Sequence, residues 1–224
     1  MTNTAQNPEL RLHLNWRCDR HAPYGDRQRA VIDHTTRQKA RDTISAWPGY
    51  QPTPMLELPD LAQKLGIARL RIKHESRRFT LKSFKALGGA YGVMRILERE
   101  TGLGIDAIMA GDAKEQVAGV TVCCATDGNH GRAVAWGAQL AGARCVIYLH
   151  EHVSQGREDA IAAYGADIAR IDGTYDDSVR QAAEDAETNG WIVVSDTSWP
   201  GYEEIPAWVK QGYTVCMGEA MEQL

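Results

Sequence analysis

The segments SFKALGG (residues 83–89) and TDGNHG (residues 126–131) decide the fold of this chain. The first places Lys85 where a strand-like stretch gives way to a helix that begins with small residues. The second is a polar loop with two glycines, between a hydrophobic stretch and another helix. Both segments therefore link a strand to a helix, and the same alternation continues along the chain, as in an α/β fold with a largely parallel sheet.

The remaining pattern extends this alternation over most of the sequence. Residues 1–50 are predicted to be irregular, with Trp16 and Trp47 as anchors that pack this arm onto the body. A helix over 176–188 has Asp176 or Asp177 as its N-terminal cap. Strands are predicted over 55–58, 70–74, 117–125, 144–149, 167–171 and 191–195. Helices are predicted over 59–65, 84–101, 131–141, 156–164, 176–188, 203–210 and 215–224.

Composition excludes several classes of protein. The net charge of −4 provides no bulk attraction to nucleic acid or to an anionic membrane. No apolar stretch approaches the length of a membrane span, and the polar N-terminus does not resemble a secretory signal. The five cysteines include no Cys-x-x-Cys pair, which favours reduced thiols. These observations predict a cytoplasmic globular protein with no nucleic-acid or membrane partner.

Lys85 is a candidate nucleophile. A lysine that attacks an aldehyde must lose its proton, and partial burial beside apolar groups lowers its pKa. The small residues that follow would let a flat ring and a helix approach closely. Lys82 is the competing candidate, and the alternative to both is an ordinary solvated lysine at a helix start. We favour Lys85 because it directly precedes the small residues.

The loop at 126–131 is a candidate anion site. Ligands of α/β proteins bind at the carboxyl ends of strands, where this loop is predicted to lie. Gly128 and Gly131 expose backbone N–H groups, and the helix N-terminus adds positive potential that suits a carboxylate. Asn129 could bond a hydroxyl on a cofactor ring. The alternative is a simple turn with Asp127 as the helix cap. Together, lysine and loop predict an enzyme that holds an aldehyde cofactor and an amino-acid substrate.

At these residues the chain resembles the fold type II family of pyridoxal-phosphate enzymes, which have a parallel-sheet, two-domain fold like the β chain of tryptophan synthase. Those enzymes carry a Ser-Phe-Lys motif and a Ser/Thr-x-Gly-Asn-His loop. Within the family the chain is most similar to the diaminopropionate ammonia-lyases. That similarity rests on RF at 78–79, FKALGGAY at 84–91, ATDGNHGR at 125–132 and DTSWPGYEEIP at 196–206. It extends from about residue 10 to the end of the chain.

The resemblance implies α,β-elimination of 2,3-diaminopropionate to pyruvate and ammonia, with pyridoxal 5'-phosphate as cofactor, in a homodimer. Lys85 would bind the cofactor covalently, and Asn129 would contact its ring oxygen. Asp127 would be a second base or would bind the β-ammonium group, and Asp196 could join it. Two bases on opposite faces, Lys85 and Asp127, would permit both D and L substrates. The residues implied to hold the substrate are Thr126, Asp127, Gly128, Asn129 and His130.

The resemblance also implies a domain division. Residues 1–90 would form an N-terminal arm and the first part of the large cofactor domain, 91–190 the small substrate domain, and 191–224 the return to the large domain. The family's glycine-rich phosphate loop and the residue facing the pyridine nitrogen belong to the second half of the fold. This sequence ends before them, which predicts a chain without its C-terminal part. Two alternatives stay open: a serine or threonine dehydratase, against which Asp127 argues, and a catalytically incomplete fragment.

Overall fold

The computed structural model describes residues 15–126 and 128–224, and within them a four-stranded parallel sheet is flanked by helices on both faces. The strands are β1 Met55–Glu57, β2 Arg71–Lys73, β3 Thr121–Ala125, β4 Arg144–His150, β5 Asp167–Ile171 and β6 Ile192–Val193. The helices are α1 Asp26–Arg29, α2 His34–Ser45, α3 Pro59–Leu65, α4 Lys85–Thr101, α5 Ile105–Ala110, α6 Lys114–Ala118, α7 Asn129–Ala141, α8 Gln155–Ala162, α9 Tyr175–Asn189 and α10 Glu204–Glu222.

The main sheet has the strand order β5-β4-β3-β6 with every pair parallel, while β1 and β2 form a separate antiparallel pair. Successive residues of β3 point to opposite faces. Cys123 packs against α9, whereas Val122 and Cys124 join the larger core on the face of α7. The predicted α/β fold with a parallel sheet is therefore confirmed.

Helix α4 is central to the fold because α7 and α10 pack directly on it. Glycines make these contacts possible. A Cβ on Gly137 of α7 would lie 2.6 Å from Ala90 Cα, and one on Gly212 of α10 would lie 2.2 Å from the Leu87 carbonyl oxygen. The small residues after Lys85 thus allow close helix packing, which fixes the position of the lysine relative to the sheet.

Several boundaries differ from the sequence prediction. The stretch expected to be irregular contains α2, which begins with a capping box in which Asp33 accepts a bond from the Thr36 N–H. Trp47 is buried as expected, but Trp16 is 79% exposed and does not anchor the arm. Val117 belongs to α6 rather than to β3.

Two helix predictions near the C-terminal end of the chain also differ from the structure. The helices expected over 203–210 and 215–224 are the single helix α10, because Gly212 sits at a close helix contact and not at a break. Helix α9 is capped by Thr174, whose side chain accepts from the Asp177 N–H, rather than by Asp176 or Asp177.

The five cysteines have no disulfide partner. Cys123, Cys124 and Cys145 are buried, and burial raises the pKa of the Cys123 thiol to about 12. No helix within the described ranges is long and apolar enough to cross a membrane.

A buried ionic cluster ties the segment before Lys85 to the end of α10. Arg78 and Glu219 are 1% and 3% exposed, and both guanidinium Nη atoms bond the carboxylate at 2.8 and 2.7 Å. Lys73 Nζ lies 2.7 Å from Glu219 Oε2, and the Tyr50 hydroxyl donates to Glu219 Oε1 at 2.8 Å. Arg78 also bonds Glu75, so one side chain joins three segments.

Glu219 is expected to make the stability of the protein fall in acid. Burial opposes ionisation of this carboxyl, but the bonds from Arg78 and Lys73 outweigh it and lower its pKa from 4.5 to about 2. The folded chain therefore keeps Glu219 ionised while the unfolded chain takes up a proton. Its contribution of about 3 kcal/mol is complete above pH 4.5 and is lost as the pH falls toward 2.

The measurement is the free energy of unfolding in urea at several pH values for wild type and Glu219→Gln. The variant should be less stable than wild type near neutrality, and the gap should narrow as the pH falls below 4.5. A gap that stays constant with pH would contradict this assignment.

Candidate active site

Lys85 and the loop at 126–131 line one cleft of about 610 Å³ at the carboxyl end of β3. This volume lies within the range of about 300–1,000 Å³ typical of small-molecule sites. Helices α4, α7 and α8 all contribute to its walls. The lining residues are Lys85, Thr126, Gly128, Asn129, His130, Arg132, Gly156, Arg157 and Ala160.

Lys85 is the first residue of α4, and a strained turn delivers it to the cleft. Phe79 and Lys82 have φ angles of +47° and +55°, which residues with a Cβ adopt at a cost and which occur often at functional sites. Lys82 is exposed and does not line the cleft. Of the two candidate lysines, the turn therefore directs only Lys85 toward the loop.

The ammonium of Lys85 contacts the carboxylate of Asp196 through its Oδ2 atom. The rings of Phe84 and Tyr213 lie 5.5 and 5.6 Å from Lys85 Nζ, within the range of cation–π attraction. Burial would raise the pKa of Asp196, but its electrostatic interactions with His130 and Lys85 and the bond from Lys85 outweigh it. The pKa of Asp196 therefore lies below its ordinary value.

The side chain of Thr126 stabilises the loop through hydrogen bonds to backbone N–H groups of the same loop. Its Oγ1 accepts the N–H groups of Gly128 at 3.0 Å and Gly131 at 3.2 Å. These two donors are therefore engaged inside the loop. The first N–H groups of a helix have no acceptor within it, so those of Asn129 and His130 at the start of α7 are the donors left for an anion.

Gly131→Ala is expected to distort this loop. An added Cβ would lie 2.3 Å from Thr126 Cγ2 and 3.2 Å from Ile147 Cγ2, and both residues are buried. Such overpacking costs about 1–3 kcal/mol. The measurement is urea unfolding of the variant beside Gly156→Ala, which borders the same cleft but whose added Cβ meets nothing within 4 Å. Equal stability of the two variants would contradict the close contact.

His130 occupies the second position of α7 and lies between β6 and Asp196. Its Nε2 is 2.8 Å from the Val194 carbonyl oxygen, which can only accept, so Nε2 carries a proton. Its Nδ1 is 3.9 Å from Asp196 Oδ2 and, among the described residues, has no hydrogen-bond partner although it is buried. Burial lowers the pKa of His130, so the ring is neutral at neutral pH.

Arg132 and Arg157 also border the cleft, and sequence reasoning gave them no role. Arg132 Nε is buried without a hydrogen-bond partner in the described ranges, and its guanidinium lies 6.0 Å from the Tyr164 ring. Arg132 follows Asn129 by three residues on α7, so the helical period could have placed the two on one face. Arg157 comes from α8 and carried no comparable signal.

The structure brings most of the predicted site residues together. Thr126, Gly128, Asn129 and His130 surround the approach to Lys85, and Asp196 lies beyond them at the end of β6. Asp127 lies outside the described residues, so its predicted role as a second base or as a ligand of the β-ammonium group stays a prediction. Within the described ranges no group of acidic, histidine and cysteine side chains could hold a metal ion.

The family model, the curated relatives and the solved structures that match this chain point to the same kind of protein. Residues 46–224 match the family model described as pyridoxal-phosphate dependent enzyme. The chain is 44% identical over 177 residues to diaminopropionate ammonia-lyase of Escherichia coli K12, and 42% identical over 182 residues to that of Salmonella typhimurium. These alignments cover 79% of this chain and 44% and 45% of the relatives. The chain thus spans less than half the length of these curated relatives.

The solved structures agree. A crystal structure of diaminopropionate ammonia lyase from Escherichia coli in complex with D-serine superposes with a TM-score of 0.79 at 40% identity, covering 86% of this chain and 50% of that chain. A pyridoxal 5'-phosphate-dependent aspartate racemase superposes with a TM-score of 0.67 at 24% identity, over 84% of this chain and 50% of that chain, which supports the fold alone.

Proposed function

Because this chain belongs to the pyridoxal-phosphate dependent enzyme family, we propose that it provides the reactive lysine of an ammonia-lyase acting on 2,3-diaminopropionate. The reaction removes the α-proton and the β-amino group and, after uptake of one water, releases pyruvate and two molecules of ammonia. The observation that carries the proposal is that Lys85, which contacts Asp196, lines a cleft bordered by a helix N-terminus. The similarity to diaminopropionate ammonia-lyases supports the choice of substrate.

The residues present fit pyridoxal phosphate. Lys85 supplies a primary amine at the edge of a cleft large enough for a small cofactor, and Asn129 supplies an amide beside it. Tyr213 has a buried hydroxyl without a hydrogen-bond partner in the described ranges, and its ring lies 5.6 Å from Lys85 Nζ. When bound, the cofactor supplies an aldehyde for covalent attachment and a conjugated ring that withdraws electrons from the substrate carbon.

Residues of this chain would remove the α-proton, bind the substrate carboxylate and stabilise the second ammonium group. Lys85 would hold the cofactor through Nζ and, once released, take the α-proton. The Asn129 and His130 N–H groups at the start of α7 would bind the substrate carboxylate, and Arg132 would add positive charge to that wall. Asp196 would stabilise the second ammonium group, which distinguishes a diamine from a hydroxy amino acid.

Asp127 remains in the proposal as the second base. With Lys85 on one face of the substrate, a carboxylate on the other would let both enantiomers react. Asp127→Asn should then reduce the rate with one enantiomer of 2,3-diaminopropionate far more than with the other. Equal loss or no loss for both would remove this role.

The experiment that tests the proposal is capture of the cofactor followed by a substrate comparison. Pyridoxal phosphate is added to the purified chain, trapped with borohydride and located by peptide mass mapping, and label on Lys85 is expected. Pyruvate release is then compared between 2,3-diaminopropionate and serine in the same preparation. Label absent from Lys85 would overturn cofactor binding. Faster release from serine would favour the dehydratase instead, an alternative kept because the Escherichia coli relative was crystallised with D-serine.

Three further parts of the proposal concern organisation. We propose that the division at residues 90 and 190 separates the cofactor and substrate domains, that the protein forms a homodimer, and that it acts in the cytoplasm. The unpaired cysteines support a reducing compartment. Light scattering coupled to size exclusion tests the dimer, and a monomer mass would contradict it.

A further inference from the structure

His130 and Asp196 come from different elements but face each other beside Lys85. His130 begins α7, whereas Asp196 follows β6 by three residues. The side chain of His130 is 10% exposed and that of Asp196 is 28% exposed, so the approach of Nδ1 to Oδ2 at 3.9 Å is largely shielded from water. Shielding from water lowers the effective dielectric constant and so strengthens the electrostatic interaction between the two side chains.

The bond to Val194 fixes which nitrogen of His130 can act as a base. Because Nε2 donates to a carbonyl oxygen, the neutral ring has its lone pair on Nδ1, and that atom has no hydrogen-bond partner within the described ranges. A buried acceptor without a donor is uncommon in native structures and calls for an explanation. Asp196 Oδ2 lies 3.9 Å from Nδ1, and that carboxylate contacts the ammonium of Lys85.

We infer that His130 is a positioning residue that shares one proton with Asp196 once the ammonium of Lys85 leaves that carboxylate. The inference deepens the proposed function and rests on it, because attachment of Lys85 to the cofactor is what removes the ammonium. A proton taken up by Asp196 forms a carboxylic acid whose O–H donates to the Nδ1 lone pair. Nδ1 and Oδ2, which are 3.9 Å apart, would approach to about 2.7 Å in this bond.

Proton sharing would let Asp196 accept a proton, which it does not do while it contacts the ammonium of Lys85. With Lys85 in contact, the carboxylate stays ionised and has little tendency to accept a proton. With Lys85 attached to the cofactor, the carboxylate loses this cation, and the pair can take up one proton from solvent and hold it between Asp196 Oδ2 and His130 Nδ1. Among the described residues, the other titratable groups that interact with Asp196 are Tyr213 of α10 and Cys124 of β3, and burial raises the pKa of both, so they stay neutral.

The test measures the pair directly in the full chain without cofactor. Histidine is labelled with ¹⁵N, His130 is assigned by loss of its signal in His130→Gln, and its titration is followed in Lys85→Ala and in Lys85→Ala/Asp196→Asn. In Lys85→Ala the His130 ring should gain its proton at a pH at least about one unit higher than in the double variant, as expected for an opposite charge at this distance. Its neutral form should carry the proton on Nε2 in both.

Two outcomes would overturn the inference: equal titration of His130 in the two variants, or a neutral ring protonated on Nδ1. Because no cofactor is present, either result is independent of whether Lys85 captures pyridoxal phosphate, so failure of the proposed function is recognised separately by the labelling experiment.

Substitutions separate positioning from structural support. His130→Gln retains an amide that can donate to Val194 but lacks the Nδ1 acceptor, whereas His130→Asn places an amide near Nδ1 and loses the Val194 bond. In holoenzyme the glutamine variant should shift the acid limb of the kcat profile at unchanged melting temperature. An unchanged profile in His130→Gln together with lower stability in His130→Asn would show a structural role only and overturn the inference.

Discussion

Lys85→Ala is expected to reduce pyruvate release from 2,3-diaminopropionate by more than about 10³-fold. Proton transfer by a positioned side chain alone contributes roughly 10²–10⁴-fold, and this variant loses covalent attachment of the cofactor as well. No other lysine in the described part of the chain lines the cleft, and Lys82 is exposed, so no second amine is placed to replace it. The rate is followed through lactate dehydrogenase, and borohydride trapping gives the same comparison without turnover.

Lys82→Ala is the matched control for this prediction. It removes a lysine three residues away, from a position with a φ of +55° and a solvent-exposed side chain. Substitutions of this kind change free energies by about 0.5 kcal/mol, which corresponds to roughly a twofold effect. Loss of labelling in Lys82→Ala with retention in Lys85→Ala would reverse the assignment of the two lysines.

Arg78→Met is expected to lower the free energy of unfolding by about 3–5 kcal/mol. It leaves the carboxylate of Glu219 buried with Lys73, Tyr50 and the Thr53 N–H as its remaining partners among the described residues. Loss of the guanidinium also removes two hydrogen bonds to Glu75, in the segment that precedes Lys85. The measurement is urea unfolding near neutral pH, combined with the extent of cofactor labelling at Lys85.

Two comparisons sharpen this prediction. Arg41→Met breaks another ion pair between an arginine and a carboxylate of α10, the pair of Arg41 with Glu222. Both partners are exposed, so the free energy of unfolding should fall by less than about 1 kcal/mol. The double variant Arg78→Met/Glu219→Met removes both buried charges and should recover part of the stability lost in the single variant. A double variant no more stable than Arg78→Met would contradict the view that an uncompensated charge is the main cost.

Prediction from the sequence succeeded where local pattern alone specifies structure. The parallel strands β4 and β5 and the helix after Lys85 followed from hydrophobic runs bounded by glycines such as Gly102 and Gly142. It failed where tertiary packing overrides local signals. Gly212 reads as a helix break, yet it lies inside α10 because the missing side chain admits the Leu87 carbonyl.

Some features of the candidate site could likewise be predicted from the sequence, and others depend on tertiary packing. The residue types, the order of the two segments and their positions at strand ends determined that Lys85 and the 126–131 loop form one cleft, since the carboxyl ends of parallel strands meet at one edge of the sheet. The sequence contains no measure of distance between segments separated by tens of residues. Only the tertiary structure decided that Asp196 meets Lys85, that His130 turns Nδ1 toward it, and that Arg78 joins Glu219 across 141 positions. These contacts depend on how α4, α7 and α10 pack, which is a property of the assembled core.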